Sequence, residues 1–200
     1  MLAVVTAIVS FAYWHSLKDE PQYALASIVE ASRQNDNAAI NELVDSDAVV
    51  DSLVPQITKK AVDLYGRGLP NGLISQIAVA ASPLIPGLKD VARKELPGLI
   101  KRETERIGDV WFPLMVVGAP RYLDIRVEGD NAFVKEKNPD NATEILMTRR
   151  DGKWRVTGII DEKLSTEIAQ RVGQEIIKTA EGKTNEGINN ILKQIEKVIR

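Results

Sequence analysis

The chain has no cysteine and a single histidine, His15. The first absence excludes disulfides, thiolate nucleophiles and cysteine-based metal sites. The second removes almost all of the triad and zinc chemistry that runs through imidazole. Basic clusters are scarce as well. With 26 Lys and Arg against 28 Asp and Glu, the formal charge is −2, and no patch stands out to neutralise phosphates. A nucleic-acid partner is not expected, and nothing in the composition asks for a cofactor or a metal. Against these absences, apolar residues make up 44% of the 200 positions and charged residues 27%, as in an ordinary globular protein, and the length is enough for one domain with a real core and a tight fit for two.

Charge is also missing locally. Residues 2–14 (LAVVTAIVSFAYW) carry none, and Tyr13 and Trp14 close the run, as amphipathic rings do at a membrane edge. A spanning helix needs roughly 20 apolar residues. The run therefore reads as part of a longer segment whose upstream basic residues precede the written start. The rival reading is a buried N-terminal helix with Val4, Val5, Ile8 and Val9 as its stripe. Ala3, Ala7 and Phe11 on its other face make it apolar all round, which favours lipid.

After Glu20-Pro21, a helix-start signal, Tyr23, Leu25, Ile28 and Val29 recur at helical spacing until Asn35-Asp36-Asn37 interrupts. A short helix with Ile40, Leu43 and Val44 inward follows, and Asp47 is placed to cap the next. That helix has a stripe of Val50, Leu53, Val54, Ile57, Ala61 and Leu64, with Pro55 expected to kink or break it near Val54. Residues 66–98 hold five of the 13 glycines and four of the nine prolines, yet 68–88 carry no charge. The segment reads either as a mostly buried helix followed by a Pro83–Pro86 turn, or as an exposed apolar flap. In the second case Leu73, Ile74, Ile77, Leu84 and Ile85 are the candidate ligand-binding residues. An amphipathic pattern resumes over 89–107.

Residues 121–128 alternate, with Leu123, Ile125 and Val127 on one face and Tyr122, Asp124 and Arg126 on the other. Turn signals at Gly129-Asp130-Asn131, at 138–141 and at Asp151-Gly152 separate further strands over 132–137, 143–150 and 154–160. From Leu164 the helical period returns. These patterns predict an α+β fold: an N-terminal anchor helix over residues 1–18, a helical layer packed on a three- to four-stranded antiparallel meander over 19–162, and a C-terminal helical arm over 163–200.

Three stretches, residues 21–25 (PQYAL), 36–45 ending in Val44-Asp45, and 145–159 (ILMTRRDGKWRVTGI), taken in order, resemble the bacterial family known as domain of unknown function 2939. The resemblance covers about residues 5–160. It implies a membrane segment leading into a Tyr-containing helix, a Val-Asp step, more helix, and strands ending in a Trp-containing hairpin. That closing hairpin is also similar to the last strands of cone-shaped folds of the nuclear-transport-factor-two-like group. Neither resemblance supplies a catalytic residue.

Residues able to carry chemistry are few. His15 sits at the end of the apolar run. Asp124 and Glu128 share a strand face with Arg126 between them, and would suit acid–base work only if buried. Asp45, Asp47 and Asp51 read as helix capping, since they lack the Gly and terminal Glu of a calcium loop. The glycine-rich run 66–72 lacks the ending of a phosphate loop, and Asn141-Ala142-Thr143 is a glycosylation sequon. Trp111 and Trp154 read as core aromatics. The function expected is therefore non-enzymatic: a single-pass, membrane-tethered domain outside the cytoplasm, monomeric or weakly dimeric, binding a protein or apolar ligand of the cell envelope. Two alternatives remain, a small-molecule hydrolase or isomerase with a cone-like pocket, and a soluble scaffold dimerising through its C-terminal helices.

Overall fold

The computed structural model describes residues 14–65, 85–138 and 143–170. Among the described residues, five helices run in succession before four strands, an α+β order: α1 Pro21–Arg33, α2 Asn37–Leu43, α3 Ser46–Tyr65, α4 Ile85–Glu105, α5 Phe112–Tyr122, β1 Leu123–Glu128, β2 Asn131–Glu136, β3 Glu144–Arg150 and β4 Lys153–Ile160. A sixth helix, α6, covers 162–170. The strands form one four-stranded sheet in the order β1-β2-β3-β4. The chain divides into two compact units, one from Met1–Val44 and Ile100–Val156, the other from Asp45–Leu99 and Thr157–Arg200; the first boundary falls between α2 and α3 and the other two inside α4 and β4.

In the first unit, α1 starts with Pro21 in its first turn and ends on Asn35, whose φ of 55° is the left-handed turn that stops a helix. The Asp36 N–H donates to the Ala31 carbonyl and the Asn35 N–H to that of Ser32, which satisfies two carbonyls of the last turn. Asp36 then caps α2 by accepting from the Ala39 N–H at 3.0 Å. Beyond α2, Val44 forms a parallel bridge with Val156 of β4.

The meander is built from local turn chemistry. Glu128 pairs with Asn131 around Gly129-Asp130, with Gly129 at φ 62°. Asp151-Gly152 closes the last hairpin with both residues at positive φ, 52° and 74°, as a primed turn requires. Ala132 and Val134 of β2, Met147 of β3, and Trp154 and Val156 of β4 are buried at alternate positions, which defines the core face of the sheet.

Several expectations need correction. β1 begins at Leu123, so Arg121 and Tyr122 belong to the last turn of α5, even though the alternation in the sequence continues through them. Asp45, not Asp47, caps α3, accepting from the Ala48 N–H at 3.0 Å. Pro55 neither breaks nor ends α3, which runs unbroken from Ser46 to Tyr65. Leu64, placed on the inward stripe, is exposed, and Val49 is buried in addition to Val50. Pro86 lies in the first turn of α4, where proline is tolerated, and is not the end of a preceding turn. Trp111 is not a core aromatic: it is 74% exposed.

In the second unit the end of β4 finds its partners in side chains of α3. The Gln56 amide donates to the Ile159 carbonyl at 2.7 Å, and its oxygen accepts from the Asp161 N–H at 3.2 Å. Ser52 Oγ accepts from the Ile159 N–H at 3.0 Å. Asp161 in turn caps α6, accepting from the Leu164 N–H at 2.8 Å. Within α6, Ser165, Ile168 and Ala169 are buried.

Candidate functional site

Residues 14–17 form a helical turn whose Leu17 is buried with Ala26 of α1 and Val116 of α5. Trp14 stands at the head of this turn. Its ring meets Tyr23 and Phe112 edge-on, with centroids 6.3 Å and 6.4 Å away, and Tyr23 meets Phe112 at 5.3 Å with the planes 85° apart. Such edge-to-face contacts add to the burial of the rings themselves. The chain following the uncharged run is thus packed against the first turn of α5.

Arg33 fixes where α5 begins. One of its amino groups donates to the Val110 carbonyl at 2.7 Å and the other to the Gly108 carbonyl. Gly108, at φ 68°, makes the left-handed turn that ends α4. Beside these groups lies a cavity of about 340 Å³ lined by Ser32, Arg33, Lys101 and Thr104, among others. These four side chains bond to one another or to nearby backbone and side chains. Ser32 and Thr104 share a hydrogen bond of 2.8 Å, and Lys101 donates to Asn35 Oδ1 at 2.6 Å. The cavity is most simply a seam where α1, α4 and the loop between α4 and α5 are tied together.

α5 itself (FPLMVVGAPRY) carries one charge, Arg121. Val116 is fully buried, while Leu114 is 60%, Val117 50% and Tyr122 68% exposed. Together with Trp111 these side chains fall within about 140° of the helix circumference, at 100° per residue. A surface helix ordinarily puts charge on that side. Here the outward side is apolar save for Arg121, which falls in the same arc, with an aromatic ring at each end. Sequence reasoning missed this face because it assigned Trp111 to the core and Tyr122 to a strand. The signal available was the near absence of charge over residues 110–120, where Val110 to Pro120 contains none.

The other sequence candidates are placed as follows. Leu73, Ile74, Ile77 and Leu84 lie outside the described residues, and Ile85 is the first residue of α4. Tyr13 also lies outside them, as do Asn141 and Ala142 of the sequon and the run 66–72. His15 is exposed. Asp124 is exposed on β1, and Arg126 pairs with Glu128 at 2.9 Å, so the two carboxylates do not share a buried site. Asp47 pairs with Arg93 and Asp51 with Lys89, at 2.8 Å and 2.9 Å. Among the described residues, no group of acidic or histidine side chains is arranged to hold a metal ion. Nor, among them, is any helix long and apolar enough to cross a membrane. Trp154 is buried as expected, with its indole N–H donating to the Asp19 carbonyl at 2.8 Å.

Among the described residues, one carboxylate departs from its ordinary behaviour. Lys60 donates to Glu162, and this hydrogen bond, with the ammonium charge behind it, holds the Glu162 carboxyl below the usual carboxylate range. The pair is exposed and lies at the start of α6, where it fastens that helix to α3.

Compared with family models, curated proteins and solved structures, the chain matches none of them.

Proposed function

We propose that this chain is a non-enzymatic, membrane-tethered domain, held outside the cytoplasm by its N-terminal segment, that binds a protein or apolar ligand of the cell envelope. One observation carries the reading. The uncharged run of residues 2–13 continues directly into Trp14, and Trp14 is packed between Tyr23 and Phe112. An apolar segment followed at once by a packed ring holds a domain close to whatever takes up the segment. The order of motifs that resembles domain of unknown function 2939 agrees with a tether preceding an α+β domain. The apolar surface required for binding is available on the outward side of α5.

Membrane fractionation of the protein expressed from its native locus, with alkaline washing and the mass of the N-terminus, tests the tether. Retention in the washed membrane is the expected result. Release of the whole population into the soluble fraction would overturn the reading.

A further inference from the structure

We propose that the outward face of α5, made by Trp111, Leu114, Val117 and Tyr122, lies on the surface of a lipid bilayer. The inference rests on the tethered reading above and names the partner of its apolar surface. Three observations on separate parts of the chain converge on lipid.

The first is the helix itself. An amphipathic helix that lies in a membrane interface buries one apolar side and keeps its charges on the other. α5 departs from the usual arrangement of a surface helix, since its protein-facing side is filled by Phe112, Met115 and Val116 and its outward side is apolar too except for Arg121, whose long side chain can extend to the headgroup level. Trp111 and Tyr122 lie 11 positions apart, which puts their backbones about 16 Å apart along the axis at ~1.5 Å per residue. Indole and phenol rings are the side chains that favour the headgroup level, because each has an apolar body and a polar tip.

The second is where the uncharged run meets the fold. Trp14 touches Phe112, the neighbour of Trp111 in sequence. A bilayer that takes up residues 2–13 is therefore brought to the first turn of α5, and the domain cannot move away from it by more than the packing of Trp14 allows.

The third is charge. Between residues 149 and 155, Arg149, Arg150, Lys153 and Arg155 stand against Asp151 alone. This hairpin is tied to the same N-terminal segment, through the bond from the Trp154 indole to the Asp19 carbonyl. Asp19 and Glu20 offset part of its charge. The remainder is of the sign that anionic headgroups attract.

The absence of cysteine makes the test direct. In the full-length chain, Leu114→Cys and, as a control, Glu42→Cys are each labelled with a polarity-sensitive fluorophore. Glu42 is exposed on α2, which packs on α1. Each protein is reconstituted with vesicles of phosphatidylcholine and phosphatidylglycerol, with and without brominated acyl chains. Circular dichroism confirms that both variants are folded. The expected result is a blue shift at position 114 and loss of most of its emission with brominated lipid, with little change at position 42. If the chain floats with the vesicles but the two labels respond alike, the docking is wrong and the tether stands. If the chain does not float, the tether itself fails and the docking with it. A label at 114 that is shielded from aqueous iodide before any lipid is added would overturn the proposal in favour of another occupant. Concentration dependence of that shielding identifies a second copy. Its loss on deletion of residues 171–200 identifies the chain's own C-terminal segment.

Discussion

Trp154 joins three kinds of interaction in one side chain. It is 3% exposed, its indole N–H reaches the Asp19 carbonyl at 2.8 Å, and the Arg149 guanidinium lies 4.7 Å above its ring. Trp154→Phe keeps most of the packing but leaves the Asp19 carbonyl without this donor, a loss of about 1–2 kcal/mol. Trp154→Ala removes the packing as well, a loss of about 3–5 kcal/mol. Urea denaturation of the two variants should rank them in that order, and equal midpoints would show that the packing of the ring adds nothing beyond the hydrogen bond. Glu162 gives the residue-level pH prediction. Its carboxyl is held low by Lys60, so the pair stabilises the fold above the carboxyl's ordinary range, and the contribution disappears as pH falls through the lower, folded-state value. Carbon-detected titration should find the Glu162 midpoint rising towards its ordinary value in Lys60→Met. An unchanged midpoint would remove Lys60 as the cause.

Among the elements, α5 separates packing from exposure most sharply. Val116 is fully buried, whereas Trp111 and Leu114 face outward. Val116→Ala should therefore cost about 1–3 kcal/mol. The double substitution Trp111→Ser and Leu114→Ser should stay within about 0.5 kcal/mol of the parent per site, as exposed changes do. Thermal unfolding in detergent-free buffer compares them, and a double variant as damaged as Val116→Ala would mean that the outward face is structural. The same helix shows where sequence reasoning ends. The strand turns were legible because their chemistry is local: Gly129 and Asp151-Gly152 adopt the positive φ that their residue types anticipate. Ile40 and Ile57 were legible as core because periodicity reports burial on an element's own face. Trp111 was not, since an aromatic beside apolar neighbours looks the same whether the fold covers it or not. The start of β1 was obscured because Tyr122 extends the alternation of the strand while sitting in the last turn of a helix. Pro55 was read as a kink or a break, and the break does not occur: α3 continues past it with Ser52, Gln56 and Ile57 engaged on either side.

Across the whole molecule, the two compact units share two continuous elements, because two of the three boundaries fall within α4 and β4. Neither unit can lose its structure without disturbing its share of one 21-residue helix, residues 85–99 for the second unit and 100–105 for the first. Trp14, Trp111 and Trp154 all belong to the first unit, so tryptophan fluorescence follows that unit, whereas far-ultraviolet circular dichroism follows both. The two signals should give coincident denaturation curves. Separated midpoints would show that the units unfold independently despite their shared helix and strand. The α+β class was readable from the order of periodicities alone. The division into units was not, because each joins distant stretches of sequence whose association no local pattern announces.

The bond between Trp154 and the Asp19 carbonyl also sets a clock for synthesis. Its partners lie 135 residues apart, and a ribosome adding roughly 5–20 residues per second needs on the order of ten seconds to make that stretch. Throughout that interval the N-terminal segment is complete while the indole that fastens it does not yet exist. Ala26, Ile28 and Val29 of α1, destined for burial, emerge long before the last hairpin. The nascent chain must therefore keep this helix shielded until its final strands arrive, which makes the first third of the protein the part most dependent on a chaperone or on early delivery to a membrane.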